Sequence, residues 1–262
     1  MNERRLQILQ LVNSEQRLPV KHLAATLHVS QVTIRKDLAF LEARGLLRRE
    51  HGSAVADQGD DVQGRMAMNY AGKLRIAQAA AALVPSGETV MIESGSCCAL
   101  LAEALAAAQR AITIITNSVF IAERLRPFQA TKVILLGGEY QKQSQVLVGP
   151  LVRQSASAFF VDKLFLGTDG FTNAAGFSGK DLLRTEAVKA MAARANKVII
   201  VTESHKFGRQ GVVAQFAVDD VHSVVTDSAL PPQFTADLRR SGVQLHLADV
   251  GDDGKQTKEE RP

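Results

Sequence analysis

Apolar residues recur along this chain with two different periods, and the change of period divides it near residue 60. In residues 3 to 14, ERRLQILQLVNS, Leu6, Ile8, Leu9 and Val12 fall at helical spacing and predict an amphipathic helix. Arg17-Leu18-Pro19 breaks that pattern, and residues 20 to 27, VKHLAATL, predict a second, short helix. His28-Val29-Ser30 then reads as a tight turn, with Ser30 suited to cap a third helix from about Gln31 to Arg44 that ends at Gly45. Within it Ile34, Leu38 and Leu41 stand at i, i+4 and i+7 and share one buried stripe. Val32, Arg35 and Lys36 take the opposite side, with Gln31 and Thr33 near the N-terminal end. Residues 46 to 55, LLRREHGSAV, predict a two-stranded wing with basic tips, so residues 1 to 57 read as a winged helix-turn-helix.

The next stretch, ADQGDDVQGRMAM, has three Asp, two Gly and no sustained period, so residues 58 to 68 read as a linker. An Ala-rich helix is predicted from Asn69 to Leu83, stopped by Pro85-Ser86-Gly87. Beyond it, apolar β-branched runs alternate with helical stretches. TVMIE (89 to 93), ITIIT (112 to 116), KVILL (132 to 136), DKLFLG (162 to 167), KVIIVT (197 to 202), HSVVT (222 to 226) and VQLHL (243 to 247) predict strands. ALLAEALAAA, VFIAERL, LLRTEAVKAMAARA and PPQFTADLRR predict the helices between them. That alternation argues a mainly parallel sheet covered on both faces. The predicted class is α/β, a small N-terminal winged helix-turn-helix followed by a mainly parallel, Rossmann-like sensor domain over residues 69 to 250. Residues 251 to 262, charged and aperiodic, are expected to be a disordered tail.

Charge sharpens this division. Residues 1 to 55 carry nine Lys/Arg against five Asp/Glu, whereas the remainder carries 22 of each. All of the net +4 therefore sits on the first fifth of the chain, the footprint of a polyanion-binding head on a neutral body. No run of about 18 apolar residues exists, and MNERRLQILQ is charged too early for a secretory signal, so a soluble cytoplasmic protein without membrane contact is expected. The two cysteines, adjacent at Cys97 and Cys98, cannot build a disulfide framework, and no further Cys or His is spaced to complete a metal site. A thiol at a helix N-terminus can have a lowered pKa, which makes Cys97 a candidate redox-sensitive site, against its simply packing the turn.

The exposed side of the third helix offers what duplex reading requires: long donors for guanine edges or phosphates, an amide for adenine and an apolar group for a thymine methyl. A solvated basic helical hairpin is the plainer alternative. In the body, the strand ends carry Glu93-Ser94-Gly95-Ser96, Thr116-Asn117-Ser118, Gly137-Gly138-Glu139, Gly167-Thr168-Asp169-Gly170 and Thr202-Glu203-Ser204-His205-Lys206. Glycine and serine after one strand usually mark only a loop. Five such ends in succession describe a receptor for a ligand carrying phosphate and hydroxyls, because amides at strand-to-helix turns favour anions and Lys206 adds a full charge.

These segments resemble one family throughout. VSQVTIRKDLAFLEARGLLRREHGSAV is similar to the N-terminal signature of DeoR-type bacterial transcriptional regulators, departing at Ser53, where a second Gly is usual. The resemblance implies that Gln31, Val32, Thr33, Arg35 and Lys36 face the major groove, that Lys21, Ser30, Arg48, Arg49 and His51 hold the phosphate backbone, and that Asp37 orients a basic neighbour. ESGSC, TN, GG, GTDG and HKFG keep the order of the family's sugar-phosphate-binding domain. By that resemblance Ser94, Gly95, Ser96, Asn117, Gly137, Gly138, Asp169 and Lys206 contact the effector. The departures are Glu93 for Asp, Ser96-Cys97 for Thr-Thr, and Gln141 where many members have Arg; they point to a different or less charged ligand.

The body also resembles the ribose-5-phosphate isomerase and CoA-transferase fold group, with Glu186 and Asp169 as possible relics of catalytic carboxylates. The expectation is a non-enzymatic DNA-binding regulator, a repressor acting on double-stranded operator DNA as a homo-oligomer, without metal or cofactor, and released or recruited by a small phosphorylated metabolite. A regulator whose crevice is only structural, and an isomerase-like enzyme with an accessory nucleic-acid head, are the alternatives.

Overall fold

The computed structural model describes residues 2 to 56, 62 to 108 and 111 to 249. The head comprises α1 (Glu3–Glu15), β1 (Arg17–Pro19), α2 (Val20–Thr26), α3 (Gln31–Ala43), β2 (Arg48–Glu50) and β3 (Ser53–Val55). Ser30 caps α3 as predicted, its side chain accepting from the Thr33 amide at 3.1 Å. The other end closes in a Schellman turn: Gly45, at φ +65°, donates to the Glu42 carbonyl at 2.8 Å and Leu46 to that of Leu41 at 3.0 Å. Ile8, Val12, Ile34, Leu38, Leu41 and Leu46 are fully buried, so the helical stripes meet in one core.

Arg17–Pro19, read from sequence only as a break, is an edge strand in a sheet of order β1-β3-β2, with Leu18 opposite Ala54. Its three residues bury Leu18 alone, too short an alternation to register as a strand, and Pro19 is tolerated at the edge.

The predicted linker lies partly outside the described residues; within it, Val62–Ala67 forms a helix, α4, and buries Val62, Met66 and Ala67. Next comes α5 (Tyr70–Ala81), preceded by Asn69 in the left-handed region at φ 48°. The predicted tail also lies outside the described residues.

The body continues with β4 (Thr89–Ile92), α6 (Ser96–Ala107), β5 (Ile112–Thr116), α7 (Val119–Leu125), β6 (Thr131–Leu135), β7 (Glu139–Gln141), β8 (Val146–Val148), α8 (Pro150–Ala156), β9 (Val161–Leu166), β10 (Gly170–Thr172), β11 (Gly176–Gly179), α9 (Leu182–Ala192), β12 (Ala195–Val201), β13 (Val213–Phe216), β14 (Ser223–Asp227), α10 (Pro232–Arg240) and β15 (Gln244–Ala248). All seven predicted strands join one sheet of order β15-β14-β12-β9-β4-β5-β6, and every pairing in it is parallel.

Successive strand residues alternate between two apolar layers. Val90, Ile92, Ile114, Phe165 and Ile199 pack on one face, and Met91, Ile115, Leu164, Leu166 and Ile200 on the other. Both faces are covered, which is why the strands read as unbroken apolar runs. The first layer is continuous with the core of the head.

The sequence reading passed over the β7-β8 hairpin and the antiparallel β10-β11-β13 sheet. Their strands are three or four residues long, and GFT and GFSG are glycine-rich. The chain lays β5 and β6 to one side of β4, then returns to place β9, β12, β14 and β15 on the other. The topological switch point therefore falls between β4 and β9, the place where such sheets open a crevice beyond their carboxyl ends.

Candidate functional site

On the head, Lys21, Ser30, Gln31, Val32, Arg35, Lys36, Arg48, Arg49 and His51 are exposed and Thr33 is half-buried. Val32 keeps 59% of its surface in solvent although it is apolar. Behind this face Asp37 is buried and accepts from Arg4 Nε at 2.6 Å and Arg5 Nε at 2.8 Å. Burial disfavours its charge, but the two guanidinium groups outweigh that and hold the carboxyl below its usual range. Asp37 thus fixes α3 against α1, in keeping with the role expected for it.

The wing cations are already engaged. Arg49 pairs with Glu42 of α3 at 2.5 Å, and Arg48 and Arg17 each lie 3.4 Å from Glu50. Such exposed pairs contribute little to stability.

In the body, the carboxyl ends of β4, β9 and β12 meet at the switch point around a cavity of about 100 Å³. Ser94, Gly95, Ser96, Asp169 and Lys206 line it, together with Arg65, Lys180, Arg184 and Glu203. Gly95 stands at the N-cap of α6 and offers no side chain to its first-turn amides. Phe207 is buried against Phe171 and Phe234, with ring centroids 5.2 and 5.7 Å away, which anchors the turn that carries Lys206. Burial lowers the Lys206 pKa, while Asp169 and Glu203 act to raise it.

The cavity carboxylates are occupied by protein donors. Asp169 accepts from the Lys180 amide at 2.9 Å, Asp181 from that of Arg184 at 2.8 Å, and Glu93 from that of Gly167 at 3.3 Å. Burial pushes the Glu93 pKa up, against the Gly167 amide and the charges of Arg184 and Arg65.

Asn117, Gly137 and Gly138 do not reach this cavity. They follow β5 and β6, the two strands beyond β4 at one edge of the sheet. Asn117 is buried and gives its amide to the Leu147 carbonyl at 3.0 Å. At Gly138 a Cβ would stand 2.7 Å from the Val148 carbonyl oxygen, so glycine is needed there for the hairpin to pack. The hairpin still touches the site: Ser94 donates to the Ser144 carbonyl at 3.4 Å, and Gln141 lies 3.4 Å from Asp181. Gln141, which stands about where many members of the resembled family have Arg, thus faces a cavity carboxylate.

Of the two readings of Cys97, burial favours its packing the turn. Both thiols are buried, and burial pushes Cys97 up to about 12 and Cys98 well above its usual value. Glu186, the other candidate relic of isomerase chemistry, lies away from the cavity and pairs with Arg153 at 3.3 Å on the surface.

Arg65, Glu93, Lys180, Asp181, Arg184 and Glu203 are the lining charges that the sequence reading did not assign as contacts. Arg184 sits in LLRTEA and Glu203 directly follows a predicted strand, so position alone could have suggested both. Arg65 lay in the stretch read as a connector.

Among the described residues no cluster of three or more His, Cys, Asp or Glu is arranged to hold a metal, and no helix is long and apolar enough to cross a membrane.

Comparison with known proteins agrees in both halves. Residues 4 to 59 match the DeoR-like helix-turn-helix domain, and residues 68 to 228 the DeoR C terminal sensor domain. The transcriptional repressor AccR of Agrobacterium fabrum is 31% identical over 86% of this chain and 89% of its own. The HTH-type transcriptional repressor GlcR of Bacillus subtilis is 28% identical over 97% and 98%. Among solved structures, ribose 5 phosphate isomerase A from Neisseria gonorrhoeae is 18% identical, covering 52% of each chain with a TM-score of 0.39.

Proposed function

The chain belongs to the DeoR family of transcriptional regulators, and from that membership we propose a repressor that grips operator half-sites as a homo-oligomer and answers to a phosphorylated sugar or related metabolite. Gln31, Val32, Thr33, Arg35 and Lys36 read base edges in the major groove, while Lys21, Ser30, Arg48, Arg49 and His51 hold phosphates. The effector sits at the switch point against Ser94, Gly95, Ser96, Asp169 and Lys206, and Asn117, Gly137 and Gly138 act from outside it by holding the hairpin. What carries the reading is one chain that joins an exposed, donor-rich α3 on a basic head to a cavity lined by Lys206 and Arg184. Repression as the direction of control is supported by relatives that are themselves named repressors.

Phosphate contacts supply salt-dependent affinity and α3 supplies discrimination. The effector changes operator binding by preferring one arrangement of the heads to another, since a ligand with equal affinity for both shifts nothing.

Electrophoretic titration of the full chain tests the first half. Arg35→Ala and Lys36→Ala should each reduce discrimination between operator and random duplex by about tenfold or more, as expected for a lost base contact worth about 1–3 kcal/mol. Retention of full specificity by both variants removes α3 from the reading. For the cavity, Lys206→Ala should abolish release of the operator by phosphorylated sugars; an unchanged release removes Lys206.

A further inference from the structure

We propose that Arg65, carried on α4, is a direct contact for the effector's anionic group, and that this contact couples the cavity to the DNA-binding head. The proposal rests on the reading of the switch-point cavity as an anion site.

Three observations converge on α4. First, Arg65 lines the cavity with Ser96, Arg184 and Lys206, although it comes from the segment that joins head to body and from no strand end. Its charge and that of Arg184 both reach the buried Glu93.

Second, the same short helix touches the head at three points. Val62 and Met66 are fully buried in the apolar layer that contains Ile8, Val12, Leu41 and Leu46. The Gln63 side chain packs on Gly45, where an added Cβ would stand 2.8 Å from Gln63 Cδ; Gly45 is the residue that ends α3 and leads into the wing. The Ala67 carbonyl accepts from Asn13 Nδ2 of α1 at 3.0 Å.

Third, α4 is fastened to the cavity floor. Lys73 Nζ donates to the Arg65 carbonyl at 2.7 Å and to that of Met68, and its ammonium lies 3.1 Å from Glu203. Glu203, itself a lining residue, also accepts from Asn69 Nδ2 at 2.8 Å.

From Val62 to Ala67 the helix rises only about 8 Å. A unit that short moves as a rigid body, so a pull on the Arg65 side chain displaces Gln63 and Ala67 with it. Those two residues hold the C-terminal end of α3 and the body of α1. The anion then favours whichever placing of the head lets Arg65 reach it, which supplies the difference in affinity that coupling requires.

The test uses the full-length protein, a duplex that the wild-type chain selects from a random library, and two probes, inorganic phosphate and ribose 5-phosphate. Probe affinity is measured by calorimetry, and operator affinity with and without probe by titration. Arg65→Ala should bind the probes about tenfold or more weakly, the loss expected for a charged hydrogen bond, and its operator affinity with and without probe should differ far less than in the wild type. Arg65→Lys should recover part of both. In the wild type, hydrogen exchange should slow at the amides of residues 62 to 68 when a probe binds, a readout that holds even if the variants fold poorly.

Unchanged probe affinity and response in Arg65→Ala, or no change of exchange over residues 62 to 68 on probe binding, overturns the proposal. If Lys206→Ala loses probe binding while Arg65→Ala keeps it, this inference alone fails. If the wild type binds neither probe, the anion-site reading fails and takes the inference with it.

Discussion

Lys73 and Glu203 face each other at 3.1 Å with side chains only 5% and 8% exposed, joining the first helix of the body to the end of a central strand. Removing one partner strands the other charge in a place water does not reach. Lys73→Met should therefore cost about 3–5 kcal/mol of unfolding free energy in urea titration, and Lys73→Met with Glu203→Gln distinctly less. A loss in the double variant equal to the sum of the Lys73→Met and Glu203→Gln losses would show that the two do not act as a pair.

Asp37 ties α3 to Arg4 and Arg5, and its Asn variant should lower stability by about 1–3 kcal/mol at neutral pH. The sign of the pH effect follows from the lowered folded pKa. Stability from Asp37 is fully present above the unfolded value of about 3.9 and disappears as pH falls through the lower folded value. Urea titrations should find a constant gap between wild type and Asp37→Asn above about pH 5 that narrows below about pH 4. A gap that widens with acid contradicts the assignment.

The seven strands of the central sheet were legible because burial on two faces writes itself as continuous β-branched runs, and α3 because Ile34, Leu38 and Leu41 share one stripe. The order of those strands was not legible. Read along the chain, the five strand ends look equivalent, and all five stand side by side in the sheet, yet the cavity is lined only from those of β4, β9 and β12. Asn117, Gly137 and Gly138 were placed in the site by resemblance to a motif order that runs along the chain and says nothing of which side chains reach the cavity. Arg65 was missed because α4 is short and lies beside Asp and Gly, although Val62 and Met66 stand at i and i+4. The wing's third strand, RLP, has one buried residue and no period to detect.

Cys97 and Cys98 should resist thiol reagents in the folded protein. With the Cys97 thiol pushed up to about 12, its thiolate fraction near neutral pH is on the order of 10⁻⁵, and both groups are buried. Neither should label at pH 7.5 on a timescale shorter than unfolding, and both should label at once in concentrated guanidinium. Rapid labelling of the native chain at Cys97 would restore it as a reactive site.

Gly170 and Gly95 make a matched contrast. A Cβ on Gly170 would stand 2.4 Å from the Arg209 carbonyl oxygen and 2.8 Å from its carbon, whereas one on Gly95 would meet nothing nearer than Cys98 Sγ at 3.4 Å. Backbone cannot step aside as a flexible side chain can, so Gly170→Ala should cost about 1–3 kcal/mol or more and Gly95→Ala less than about 1. Thermal melts of the two variants decide this, and a larger loss in Gly95→Ala would contradict the packing described.

The strand order has a consequence for synthesis. Every pairing in the head's sheet lies between residues 17 and 55, but β4 has to wait for β9, and β9 for β12, before the middle of the large sheet can close. At ribosomal speeds of about 5–20 residues per second, some 10–40 s separate translation of β3 from that of β15. Through that interval the nascent chain carries the sheet of its DNA-binding head ahead of an effector-sensing domain that is complete only once translation has delivered the last strands.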